Sequence, residues 1–96
     1  MPMKLVITEY QAQYGKRPYD VISVVKRDKN KWAISDGSHV FNLNLEWEYE
    51  PLPSNRTYEF IKRTRFSLKK AMQLAELAFK DKKAWYKKRE KLMKTA

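Results

Sequence analysis

Between Phe41 and Glu50 apolar and polar residues alternate without interruption, with Phe41, Leu43, Leu45, Trp47 and Tyr49 on one side and Asn42, Asn44, Glu46, Glu48 and Glu50 on the other. A period of two marks a strand with one buried and one wetted face. The pattern therefore predicts one long strand whose outer row is amide and carboxylate. Just upstream, Asp36-Gly37 is flanked by apolar alternation on both sides, the signature of a two-residue hairpin turn in which both central residues take positive φ. That turn sets a register: Ser35 opposite Ser38, Ile34 opposite His39, Ala33 opposite Val40, Trp32 opposite Phe41. Opposed residues share a face, which groups Trp32, Ile34, Phe41 and Leu43 with Leu45, Trp47 and Tyr49.

Before the hairpin, YDVISVVKR is rich in β-branched residues and reaches KWAIS through the polar loop Asp28-Lys29-Asn30, so it reads as a strand. Near the start, KLVITEY forms a candidate fourth strand pairing with the far end of the long one, and QAQYGKRP is a connector. Pro51 and Pro53 end the long strand because neither can donate to a ladder. The segment TYEFIKRTRF fits the strand and helix templates about equally and is assigned to strand. Ser67 is then a natural N-cap for a helix from Leu68 to about Met93. Its apolar residues span an arc of roughly 160°. The expected fold is α+β: a three- to four-stranded antiparallel β-meander, over residues 3 to 66, packed against one long C-terminal α-helix over 68 to 93. All 96 residues fall in one small basic domain, since a chain of this length cannot support two cores.

Charge sharpens this picture. The formal net charge is +10, from 21 Lys and Arg against 11 Asp and Glu, which favours polyanionic partners. On the expected helix, Lys69, Lys80, Lys83, Lys87, Lys91 and Lys94 project within about 80° of one another, with Lys70 and Lys88 a little farther round. The acidic row of the long strand would lie on the opposite face of the sheet, as a solvated surface whose glutamates pair with basic residues on neighbouring strands. At the helix start, Arg63, Arg65, Ser67, Lys69 and Lys70 gather around free N–H groups, an arrangement suited to a phosphate. Aromatic and basic residues interleave in YGKRPY and in KKAWYKKR. Trp85, Tyr86 and Arg89 are candidate stacking or partner anchors.

Candidate catalysis is poorly supported. Glu46 and Glu48 share one face, but an acid and base pair needs two different environments. His39, the only histidine, is expected at the sheet rim without a second ligand, so no metal site and no cofactor are expected. The chain has no cysteine, which suits a reducing compartment. The opening MPMKLVITEYQ lacks a signal-peptide core, and no stretch approaches the roughly 18 apolar residues of a membrane span. These features point to a cytoplasmic, non-enzymatic protein binding nucleic acid through phosphates, duplex DNA slightly favoured, by way of Lys69, Lys70, Lys80, Lys83, Lys87, Lys88 and Lys91 with the Arg63 to Lys70 cluster. The alternative is a regulator or inhibitor that docks on an acidic surface of a larger enzyme.

Overall fold

A computed structural model describes residues 5–94. It contains strands β1 (Glu9–Gln13), β2 (Val21–Asp28), β3 (Lys31–Ser35), β4 (His39–Phe41) and β5 (Trp47–Tyr49), then helices α1 (Tyr58–Thr64) and α2 (Leu68–Lys94). The strands form one antiparallel sheet in the order β1-β2-β3-β4-β5. The α+β meander with a long C-terminal helix is as expected, with five strands instead of three or four. Met3 and Lys4, where the first strand was expected to begin, and the side chain of Lys94 lie outside the described residues.

Hydrogen-bonding side chains, invisible to an apolar pattern, decide where the sheet turns. The run from Phe41 to Glu50 is not one strand. Buried Asn42 folds it into the β4–β5 hairpin: its Oδ1 accepts the N–H groups of Asn44 (2.9 Å) and Glu46 (3.1 Å). Leu45 takes a left-handed φ of 61° and donates its N–H to the Asn42 carbonyl at 3.0 Å. Asparagine favours such turns because its side chain imitates a backbone acceptor. Phe41 now pairs with Trp47 and Val40 with Glu48, so Phe41 and Trp47 still share a face, whereas Leu43 and Leu45 are exposed at the bend.

The Asp36-Gly37 turn is also wider than expected. Asp36 Oδ1 accepts the N–H groups of both Ser38 (3.2 Å) and His39 (2.8 Å), and only Gly37 of the two central residues has positive φ. The register slips so that Ser35 pairs with Val40. The position opposite Trp32 goes instead to Phe66, whose N–H and C=O exchange hydrogen bonds with Trp32 at 2.9 and 2.7 Å. The slip preserves the alternation of faces, so Trp32, Ile34 and Phe41 remain together.

The first strand differs in span and partner. β1 pairs with β2, not with the far end of the acidic run, and includes Gln11 to Gln13, which had been assigned to the connector. Its return is set by buried Asp20, whose carbonyl accepts the Tyr14 N–H (2.8 Å) and whose N–H donates to the Arg17 carbonyl (3.0 Å). The segment expected as a last strand is α1. Thr57 caps it by accepting the Phe60 N–H at 3.1 Å, a preferred cap geometry that outweighs the tied apolar pattern.

Two helices thus cover opposite faces of the sheet. On one side Ile22, Val24, Trp32, Ile34, Phe41 and Phe66 pack with Ala71, Leu74 and Ala78 of α2. On the other, Phe60 of α1 closes a smaller cluster with Ala33 and Val40. The apolar arc of α2 is buried only along its first three turns; Trp85, Leu92 and Met93 are exposed. Among the described residues no helix is long and apolar enough to cross a membrane.

Candidate nucleic-acid interface

Helix α2 begins as the sequence indicates, with Ser67 Oγ accepting the Lys70 N–H at 3.2 Å. Its first turn carries no acidic residue, although acids there would suit the helix dipole. Lys69 and Lys70 are exposed beside the cap. Farther along, Lys80, Lys83, Lys87 and Lys88 are exposed, and by helical geometry Lys69, Lys80, Lys83, Lys87 and Lys91 share one face. None of Lys69, Lys70, Lys80, Lys83, Lys87 and Lys88 takes part in an ion pair among the described residues. Lys83 Nζ instead rests 5.7 Å from the Phe79 ring centroid. Glu76 is the one acid whose helical position falls within this stripe.

Arg63 and Arg65 are placed elsewhere, on the α1 face. Arg63 grips Glu48 with two hydrogen bonds, Nε to Oε2 at 2.8 Å and NH2 to Oε1 at 2.7 Å, while Asn42 Nδ2 donates to Glu48 Oε2 at 2.7 Å. A planar fork on a carboxylate is a strong, oriented contact. The Glu48 carboxyl is accordingly held below the usual carboxylate range, chiefly by the Arg63 hydrogen bond. Arg65 donates to Glu50 at 2.8 Å, and these two side chains are only 5% and 9% exposed. The basic cluster at the helix start therefore resolves into Ser67, Lys69 and Lys70 on one side and carboxylate-bound Arg63 and Arg65 on the other. Of the acidic row, expected to be solvated and paired with basic residues, Glu46 is exposed, whereas Glu48 and Glu50 are partly buried as the counter-charge to these arginines.

The three anchor candidates also separate. Tyr86 packs edge-on to Tyr14 at 6.2 Å between centroids, and its hydroxyl accepts the Lys16 N–H at 3.3 Å. It belongs to the seam between α2 and the loop after β1. Trp85 is 47% exposed, with the Arg89 guanidinium 5.4 Å above its ring. His39 sits at the sheet rim, as expected, but opposite Tyr49. Among the described residues no group of three or more His, Cys, Asp and Glu could hold a metal ion.

Three charged residues matter more than their spacing suggested. Arg27 and Arg56 join Arg65 around Glu50, at 2.6 and 3.6 Å. Lys82 lies among apolar helix positions, 2.9 Å from Asp36 Oδ2 and 4.6 Å from the Trp47 ring centroid. A lysine on the core side of an amphipathic helix was the available signal for Lys82. For Arg65 and Arg63 it was the matched two-residue steps of Glu48, Glu50 and Arg63, Arg65. No family model, no curated protein and no solved structure matches this chain.

Proposed function

We propose that this is a non-enzymatic nucleic-acid-binding protein whose lysine-lined α2 face contacts backbone phosphates, duplex DNA being slightly favoured over single strands. One observation carries the reading: Lys69, Lys80, Lys83 and Lys87 are exposed along one side of a continuous helix and have no ion-pair partner among the described residues. From Lys69 to Lys87 that side runs about 27 Å, long enough to follow several phosphates. Flexible lysines supply charge more than base readout, so sequence preference should be weak. Lys70, Lys88 and Lys91 extend the charged surface. Glu48 is held in an internal ion pair by Arg63 and also accepts from Asn42. The cysteine-free composition fits a cytoplasmic setting.

Fluorescence anisotropy with duplex DNA, single-stranded DNA and RNA across a salt series tests this. Log K should fall with log salt at a slope near 0.9 per phosphate contacted, and Lys80→Gln, Lys83→Gln and Lys87→Gln should each reduce the slope by about 1. A second reading rests on the exposed Trp85 with Arg89 stacked on it, a pairing typical of protein interfaces. A flat salt response with Trp85→Ala dominating the loss would favour an acidic protein partner over nucleic acid.

A further inference from the structure

We infer that the pocket formed by Arg27, Arg56 and Arg65, with Lys31 at its mouth, binds a phosphate dianion, either free or as a terminal phosphomonoester. The pocket encloses about 150 Å³ on the α1 face and is also lined by Asp28 and Ile61. Three guanidiniums converge there on one carboxylate: Arg27 and Arg65 donate to the two oxygens of Glu50 at 2.6 and 2.8 Å, and Arg56 NH2 lies 3.6 Å from it. With Lys31 counted, four cations face two carboxylates, Glu50 and Asp28, and the positive surplus of two matches a dianion.

The arrangement is expensive for the fold alone. Like charges repel more strongly in a partly buried site than in water, and one carboxylate cannot compensate three guanidiniums. Burial, with repulsion from Arg56 and Arg27, holds the Arg65 guanidinium below its ordinary range despite Glu50. Each guanidinium carries five N–H donors, yet among the described residues Arg27 donates only to Glu50 and Arg56 to the Pro51 carbonyl. Unused donors in fixed forks suit the several acceptor oxygens of a phosphate. Arg27 and Lys31 are exposed at the rim and leave an entrance. This site is separate from the lysine face of α2 and does not depend on the nucleic-acid reading.

Isothermal titration calorimetry of the full chain with inorganic phosphate, at ionic strength held constant with chloride, tests the site. One saturable site per chain is expected. Lys31→Gln, which removes no ion pair among the described residues, should weaken it several-fold, and Arg27→Gln by about tenfold or more. Lys80→Gln and Lys87→Gln should leave it unchanged. A 5′-phosphorylated oligonucleotide binding more tightly than its 5′-hydroxyl counterpart, with the difference lost in Lys31→Gln, would identify the source as a nucleic-acid end; equal binding of the two with phosphate binding retained would identify a free phosphomonoester. Absence of saturable phosphate binding, or binding that survives both Lys31→Gln and Arg27→Gln, would overturn the assignment.

Discussion

Asp20 shows how one side chain organises a loop. It is 1% exposed, and its Oδ2 accepts both the backbone N–H of Arg17 (3.1 Å) and the Arg17 Nε–H (3.0 Å). These bonds, led by the guanidinium, hold its carboxyl below the usual range against the opposing effect of burial. Glu48 is lowered chiefly by Arg63. For Asp36 burial pushes upward, but the Lys82 ammonium and the N–H groups of His39 and Ser38 outweigh it. A carboxyl with a depressed folded-state pKa adds stability that is complete above its unfolded value, about 3.9 for Asp and 4.3 for Glu, and is lost as pH falls toward the folded one. Stability should therefore drop steeply below about pH 4. Asp20→Asn should be less stable at pH 7 and show a shallower acid limb in denaturant unfolding from pH 7 to 2; an unchanged limb would show that Asp20 is not a source of the acid lability. Close packing adds a second constraint here, since a Cβ on Gly15 would lie 2.5 Å from Asp20 Oδ2 and 2.6 Å from Tyr86 Cε2. The aromatic and basic letters of YGKRPY drew attention in the sequence, but the organising residue was the aspartate after them, whose partners are set by backbone geometry and carry no periodic signal.

At the scale of elements, legibility followed the number of residues that vote. Helix α2 was readable because a cap and many periodic positions agree over 27 residues, and the face assignments survived because a register slip of two in the pairing sum leaves the alternation intact. The breaks were not readable, since Asn42 and Asp36 each act through single side-chain hydrogen bonds that the alternation around them conceals. Helix α1 is the sharpest case. Only seven residues long, it is too short to be stable by propensity alone, so its cap and its buried Phe60 must hold it. Thr57→Ala should cost about 1 kcal/mol, within a range of roughly 0.5 to 2, equivalent to a fall in Tm of about 4 to 8 °C. Phe60→Ala should cost about 3 to 5 kcal/mol, because the side chain fills the cluster with Ala33 and Val40. Thermal unfolding followed by circular dichroism checks both, and a Phe60→Ala cost no larger than that of Thr57→Ala would mean that α1 is not anchored through its ring.

At the scale of the whole molecule, most arginines among the described residues are paired, while among the lysines Lys16 and Lys82 take part in ion pairs. Arg17, Arg27, Arg56, Arg63 and Arg65 are all held by Asp20, Glu48 or Glu50, where forked donors make oriented pairs. Lys69, Lys80, Lys83 and Lys87 on the α2 face are exposed and take part in no ion pair among the described residues. The row of asparagine and glutamate in so basic a chain therefore has a structural explanation: Asn42 turns the strand, while Glu48 and Glu50 pair with arginines on the face opposite α2. With those carboxylates engaged on that face, unpaired positive charge remains along α2 at Lys69, Lys80, Lys83 and Lys87. Glu76 interrupts it. If phosphate contacts drive binding, Glu76→Lys should both raise affinity for duplex DNA and steepen the salt slope by about 1, at little cost because the residue is exposed and takes part in no ion pair among the described residues. Glu76→Gln should give an intermediate gain without a new contact. Anisotropy titrations of the wild type and both variants at two or more salt concentrations would show this ordering. An affinity for duplex DNA indifferent to the charge at position 76 would mean that the lysine face of α2 is not where the polyanion sits.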